Sequence, residues 1–278
     1  MFWRSCLLGL MLAGTAQAEY QGYLLGGGLE SASDHGWRAA ILASVGLQED
    51  TWLSGSASTS RVELPIRGDS EIAYADIELD HHFDPIGVAI GAAYWGDPDI
   101  LDSVDLRASL YFRNDQLTLA GEFERRDFDF TIPPTDLFVG REFSFDADGV
   151  GARARIRAGK SLSIGISAMQ YDYSVDFVPN ENRDALRLAT VSRLGLINNL
   201  IDNRASIDFG LDIGPGRWDL DFSTWEGALD QSRTRSVTLR FLAPLSNQSD
   251  IELGLGYDDS ELYGDVTFFS VYLYFYGS

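Results

Sequence analysis

The chain has 278 residues and is acidic, with 42 Asp and Glu residues against 21 Lys and Arg residues and a formal net charge of −21 at pH 7. So large an acidic excess argues against nucleic-acid binding, which needs basic side chains clustered on one surface. Net charge alone does not identify a specific binding site.

Residues 1–18 have the pattern of a secretory signal peptide. Arg4 gives a basic start, an apolar run begins at Cys6, and Ala16-Gln17-Ala18 supplies a small-residue cleavage site. The apolar run is much shorter than the ~20 residues that a membrane-spanning helix needs, so we expect cleavage after Ala18. Cys6 would leave with this peptide, which excludes disulfides, iron–sulfur clusters and thiol catalysis for residues 19–278.

Residues 19–278 are predicted to form one all-β domain, because hydrophobic alternation with a period of two recurs along them. Val104, Leu106 and Leu110, for example, alternate with polar side chains. Such segments are about ten residues long, which suits tilted strands that cross a membrane. Short turns alternate with longer connections, as in an up-and-down barrel. We therefore expect about 14 strands, and uncertain boundaries leave a range of about 12–16.

Residues 184–202 interrupt this rhythm. Leu188, Val191 and Leu194 fit one face of a short amphipathic helix, and Asp184 is placed to cap its N-terminus. Alternation through Leu186 and Leu188 fits a strand as well. We favour a helix or a loop, and a strand here would change the strand count.

The segment 265–276 is the most informative strand prediction, because its alternation is strict. Over residues 268–276 the odd positions are apolar, among them Val271, Leu273 and Phe275, and three of the five even positions are tyrosines: Tyr272, Tyr274 and Tyr276. At the free edge of a soluble sheet, so aromatic a strand would promote aggregation. A closed membrane barrel leaves no free edge, and lipid accommodates the apolar face.

With this final strand and the signal peptide, the chain resembles the outer-membrane β-barrel proteins of Gram-negative bacteria. The last strand of those proteins is an aromatic assembly signal, although here the last residue is Ser278 rather than Phe or Trp. The resemblance implies a transmembrane, antiparallel up-and-down β-barrel that is exported through the periplasm to the bacterial cell outer membrane. It also implies contact with outer-membrane lipid and lipopolysaccharide, and with the barrel-assembly machinery through the C-terminal strand.

Polar positions of the alternating strands are predicted to face the lumen, because the apolar positions face lipid. The predicted lumen-lining residues are Asp76, Glu78, Asp105, Arg107, Glu122, Glu124, Arg153, Arg155, Arg157, Asp208, Asp212, Asp219 and Asp221. Half-buried charges need partners or water, so the acidic positions Glu122 and Glu124 are expected to pair with the arginines at 153–157. A self-neutralised polar interior and a conducting channel both fit this pattern.

Aromatic residues near the strand ends are predicted to form the girdles that mark the two membrane interfaces. The predicted girdle consists of Trp37, Trp52, Trp95, Trp218, Tyr272, Tyr274 and Tyr276. For the tryptophans, an aromatic track that binds sugars is the alternative.

The sequence offers no catalytic constellation. His81 and His82 are adjacent, so their side chains point to opposite faces of a strand and cannot share a metal ion without a bulge. His35 lies with Ser33 and Asp34 in one tight loop, where the three groups cannot converge as a nucleophilic relay. We therefore predict no enzymatic activity, no metal site and no cofactor.

The function that these observations favour is a small, monomeric, porin-like channel for ions or small polar solutes. The alternative is a structural or surface-interaction barrel with a filled lumen. A barrel enzyme acting on lipid or peptide is less favoured, because no nucleophile–base pair accompanies the strands.

Overall fold

The structure, a computed structural model, describes residues 22–64, 68–97, 101–132, 141–174, 200–228, 231–261 and 264–277. Within these ranges, fourteen antiparallel strands close into one barrel, which confirms the predicted fold class and strand number. The strands are β1 (Tyr23–Ala32), β2 (Trp37–Gln48), β3 (Thr51–Leu64), β4 (Gly68–His82), β5 (Ile86–Asp97), β6 (Leu101–Arg113), β7 (Leu117–Ile132), β8 (Arg141–Ala158), β9 (Leu162–Tyr173), β10 (Ile201–Ile213), β11 (Gly216–Gly227), β12 (Arg233–Ser246), β13 (Ser249–Ser260) and β14 (Gly264–Gly277).

The barrel closes where β1 pairs with β14. Every other pairing joins strands that are consecutive in sequence. The closing register runs from Tyr23 opposite Gly277 to Ala32 opposite Phe268. Closure leaves no strand edge open for pairing with another chain. Turns of two or three residues join the strands at the end where Tyr23 lies, here called the short-turn end; the opposite end is called the long-connection end.

The outer face of the barrel carries exposed apolar side chains. On β14 these include Phe269, Leu273 and Phe275, which are 49%, 39% and 53% exposed. Cross-strand pairing continues this face around the barrel, since Leu273 lies opposite Ile251 and Leu25 lies opposite Phe275. Burying such a surface in hydrocarbon is favourable by about 25 cal/mol per Å². The outer face is therefore suited to a bilayer.

Inward-facing glycines make room for aromatic rings of the neighbouring strand. A Cβ atom added to Gly28 would lie 2.3 Å from Cδ1 of Tyr272, and one added to Gly26 would lie 2.8 Å from Cδ1 of Tyr274. Both rings therefore lie flat against β1 at the closing seam. The same arrangement pairs Tyr111 with Gly87, Tyr171 with Gly149 and Phe268 with Gly256.

Two predictions fall largely outside the described residues. The signal peptide at residues 1–18 stays a prediction. Of the segment 184–202, only the last three residues are described, and Ile201 and Asp202 begin β10. The choice between helix and strand for the rest of that segment stays open. Among the described residues, no helix is long and apolar enough to cross a membrane.

Candidate functional site: the barrel lumen

Cross-strand pairing carries one continuous face around the inside of the barrel. Glu78 of β4 lies opposite Gly91, Gly91 lies opposite Arg107, and Arg107 lies opposite Glu124. The same face continues through β8 and β9 to Asp208 and then to Asp221 of β11. All of the residues predicted to line the lumen lie on this inner face.

Two arginines of β8 are held by carboxylates on different strands. Arg153 donates a hydrogen bond to Glu122 of β7. Arg155 instead reaches across β9, and its Nη2 lies 2.7 Å from Oδ2 of Asp208 on β10. The contact across β9 is possible because Gly165, which separates the two residues, has no side chain. The predicted pairing of the arginines with β7 is therefore found for Glu122, whereas Glu124 has other partners.

Arg107 and Asp76 form a third ion pair inside the barrel. Arg107 donates to Oδ2 of Asp76, whose side chain is only 2% exposed, and Tyr74 donates to the same oxygen over 2.9 Å. The pair reaches across β5, which presents the small residues Gly91 and Ala93 between the two strands. A buried carboxylate held by two donors is the arrangement that limits the cost of desolvating its charge.

A deeper cluster, the Arg126 network, consists of Arg126, Asp105, Glu124, Tyr171 and Arg204. Arg126 lies 3.3 Å from Asp105 and 3.4 Å from Glu124, and all three side chains are less than 10% exposed. Tyr171 donates to Glu124 over 2.7 Å, and Arg204 lies 3.8 Å from that carboxylate. The Arg126 guanidinium also lies over the Tyr171 ring, 5.3 Å from its centroid. Each charge in the network has an opposite charge beside it, which offsets part of the cost of removing these groups from water.

Above this network, at the long-connection end, the inner face is apolar. The inner apolar cluster consists of Ile72, Trp95, Leu101, Phe128, Ala147 and Leu200. Phe128 is 1% exposed, stacks on Phe145 with 4.9 Å between ring centroids, and contacts the Arg126 guanidinium with its face. These side chains occupy interior space on the β4–β10 side of the barrel.

Another charged group, centred on Arg217, lies near the short-turn end. Its Nε lies 2.8 Å from Asp219, its Nη1 lies 3.2 Å from Asp212, and its Nη2 donates to Ser163 over 3.1 Å. A Cβ on Gly210 would lie 2.0 Å from Arg217 Nη2, so the glycine leaves the space that the guanidinium occupies. Asp212 and Asp219 are therefore less available to a passing cation than Asp221, which no ion pair holds among the described residues.

The histidines are arranged as the alternation predicts. Nδ1 of His81 lies 2.6 Å from the hydroxyl of Thr51 and its ring meets Phe83 edge-on. His82 lies on the inner face and stacks on Tyr111, with 5.8 Å between ring centroids. The two rings are on opposite faces of β4.

The girdle prediction needs correction for Trp52, Trp95, Tyr272, Tyr274 and Tyr276, which lie on the inner face. Trp95 is 6% exposed and belongs to the inner apolar cluster. Tyr274 and Tyr276 donate to Glu252 and Asp250, which are inner carboxylates. Trp37 and Trp218 lie on the outer face, each 40% exposed, near the long-connection and short-turn ends respectively. Aromatic character did not distinguish the faces, because rings that lie on inward glycines fit the lumen as well as lipid.

Sequence analysis missed several inner charges. Each of them lies at an inward-facing position of its strand. Applying the period-two alternation along the whole of each strand would have found them. The missed residues are Glu30, Arg38, Asp97, Arg126, Arg204, Arg217, Arg240, Asp250, Glu252 and Asp258.

Comparisons with protein-family models and with curated proteins find no match for this chain. Among solved structures, the loop L8 deletion mutant of OmpT, an outer membrane protein of Vibrio cholerae, has a TM-score of 0.52 at 12% identity, covering 92% of this chain and 98% of that chain. The trimer form of in-vitro folded OmpT from the same organism has a TM-score of 0.51 at 9% identity, covering 92% and 98%.

This chain has the fold of a bacterial outer-membrane β-barrel. At such low identity the likeness concerns the fold, and the residues inside this barrel must be interpreted from its own geometry.

Proposed function

We propose that this barrel is a passive outer-membrane channel that conducts ions and small polar solutes, prefers cations and catalyses no reaction. The supporting observation is the composition of the inner face, where carboxylates exceed guanidinium groups among the described residues. The inner carboxylates are Glu30, Asp76, Glu78, Asp80, Asp97, Asp105, Glu122, Glu124, Asp208, Asp212, Asp219, Asp221, Asp250, Glu252 and Asp258; the inner arginines are Arg38, Arg107, Arg113, Arg126, Arg153, Arg155, Arg157, Arg204, Arg217 and Arg240. Carboxylates along a pore lower the electrostatic barrier for a cation.

The proposal extends to the setting of the barrel. We propose that residues 1–18 direct export through the periplasm and that barrel-assembly machinery recognises the last strand. The apolar outer face would contact outer-membrane lipid, with lipopolysaccharide at the long-connection end, where connections of this kind face the cell exterior. We also propose that the barrel is a monomer; one chain closes the sheet without a strand from a partner.

A barrel with a filled lumen is the second candidate, and one observation favours it. The inner apolar cluster and the Arg126 network occupy interior space on the β4–β10 side. If the remaining side were also filled, the barrel would be a structural or surface-interaction protein without conductance.

Planar-bilayer recording of the refolded barrel decides between these candidates. We expect single-channel conductance and a reversal potential that indicates cation preference across a salt gradient. The preference should weaken at high salt, because the screening length falls to about 3 Å at 1 M. Anion preference would contradict the charge argument, and a folded barrel without conductance would favour the filled lumen.

A further inference from the structure

The inner arginines differ in how their charges are held, and Arg217 of β11 is one of those that carboxylates hold. On the β4–β10 side, Arg107, Arg153 and Arg155 each form an ion pair. On the opposite side, Arg38 of β2 and Arg240 of β12 form no hydrogen bond or ion pair within 4.0 Å among the described residues. Their guanidinium groups therefore keep donors that a solute or water can use.

These two arginines lie in one cross-strand row. Arg38 is opposite Glu30, Glu30 is opposite Ser270, and Ser270 is opposite Gly254, which is opposite Arg240. The residues between the arginines are thus small, apart from Glu30. Nε of Arg240 is buried and has no hydrogen-bond partner in the described part of the chain. A buried donor without a partner is costly, so the protein itself leaves part of the hydrogen-bonding capacity of Arg240 unsatisfied.

Next to this row, two tyrosines form a flat aromatic surface. The rings of Tyr272 and Tyr274 are nearly parallel, with an interplanar angle of 15° and 6.4 Å between centroids. Each ring approaches β1 at a glycine, Tyr272 at Gly28 and Tyr274 at Gly26, and both side chains are half-buried, so part of each ring faces the lumen. Glu252 accepts a hydrogen bond from the Tyr274 hydroxyl over 3.4 Å.

We propose that this surface, the tyrosine wall formed by Tyr272, Tyr274, Arg38, Glu30, Arg240 and Glu252, binds a neutral, polyhydroxylated solute such as a short saccharide. The apolar C–H face of a sugar ring packs on the tyrosine faces. Its hydroxyl groups accept hydrogen bonds from the two arginines and donate to the two carboxylates. The combination of aromatic surface and a few convergent polar groups is typical of small-molecule sites.

The charges explain the preference for a neutral ligand. Arg38 lies opposite Glu30 on one side of the rings. On the other side, Arg240 lies opposite Gly254, two positions along β13 from Glu252. A cation would therefore meet a guanidinium on either side, and an anion would meet a carboxylate. The inference deepens the proposed channel function and rests on it, since a solute reaches this wall through an open lumen.

The test uses the refolded full-length barrel in detergent and maltotriose as the probe. Saturation-transfer NMR should show saturable binding to the wild type. The double variant Tyr272→Ala/Tyr274→Ala should bind about tenfold more weakly, because the stacking surface is lost. Phe269→Ala, on the outer face of the same strand, is the matched control and should bind like the wild type. Each variant is first shown to be folded by its β-sheet circular dichroism and heat-modifiable gel mobility.

Arg240→Gln supplies a second variant that leaves the aromatic surface intact, and it should also weaken maltotriose binding. No saturable binding to the folded wild type, or equal binding by all variants, would overturn the inference. Tighter binding of choline or glucuronate than of maltotriose would overturn the assignment of a neutral ligand. Maltotriose binding to a barrel that does not conduct would refute the channel but retain the site. Conductance without saturable maltotriose binding would overturn the site but retain the channel.

Discussion

Arg125 and Arg126 are adjacent in sequence but lie in opposite environments. Arg125 points outward, where it lies 3.0 Å from Asp146 and 3.2 Å from Asp148 on an exposed surface. Arg126 points inward and is buried with two carboxylates. Period-two alternation alone separates the two side chains, and it determines how much each charge contributes to stability.

Removing the buried guanidinium should be strongly destabilising. Arg126→Gln leaves the carboxylates of Asp105 and Glu124 buried without the positive charge beside them. Breaking a buried ion pair in this way costs about 3–5 kcal/mol of stability. Arg204 lies 3.8 Å from Glu124 and offsets part of this loss. Urea unfolding of the barrel in lipid vesicles measures the change in the free energy of unfolding. Arg125→Gln is the neighbouring control and should show no resolvable change, so equal effects of the two variants would contradict the burial argument.

At the scale of the strand, β14 tests which face contacts lipid. Leu273 and Phe275 point outward and Tyr274 points inward. A charged side chain on the lipid face costs ~2 kcal/mol or more near the midplane. We therefore expect Leu273→Asp combined with Phe275→Asp to block insertion into vesicles, as judged by loss of heat-modifiable mobility. Tyr274→Asp should be milder, and the reverse order would mean that the faces are assigned wrongly.

The first strand tests the closing seam. A Cβ on Gly28 would lie 2.5 Å from the carbonyl oxygen of Val271 and closer still to the Tyr272 ring. Gly28→Ala should therefore force β1 or the ring to shift and destabilise the barrel by about 1–3 kcal/mol. Gly27→Ala points outward and meets nothing closer than 3.3 Å, so it serves as the control in the same unfolding measurement. A Gly28→Ala barrel as stable as the control would show that the seam tolerates a side chain.

At the scale of the whole molecule, the inner charges should determine selectivity together. Neutralising Arg153, Arg155 and Arg157 to Gln removes positive charge from one wall, so reversal potentials should shift further toward cations. Because Arg153 holds Glu122 and Arg155 holds Asp208, these two carboxylates are the ones released. Adding Glu122→Gln and Asp208→Asn should reverse most of the shift. An unchanged reversal potential in the triple variant would show that this wall does not face the conducting path.

Much of the fold could be predicted from the sequence, because strand alternation is a local property. The parity of residues 104–112 and of Val271, Leu273 and Phe275 identified the outer face, and the regular spacing of turns gave the fourteen strands that the described residues form. Arg153, Arg155 and Asp208 could be placed on the inner face for the same reason. Local pattern is enough here because lipid outside and polar groups inside impose opposite requirements on successive residues.

The tertiary structure decided which side chains meet, because that depends on register between strands and on the side chains of neighbouring strands. Arg155 reaches Asp208 because the intervening Gly165 leaves the space open. Alternation places Tyr272 and Tyr274 on the inner face, where Gly28 and Gly26 leave room for their rings, but their aromatic character suggested the wrong environment. The sequence by itself thus determined the barrel and its two faces, whereas the Arg126 network, the inner apolar cluster and the tyrosine wall exist only once closure sets the register of every strand pair.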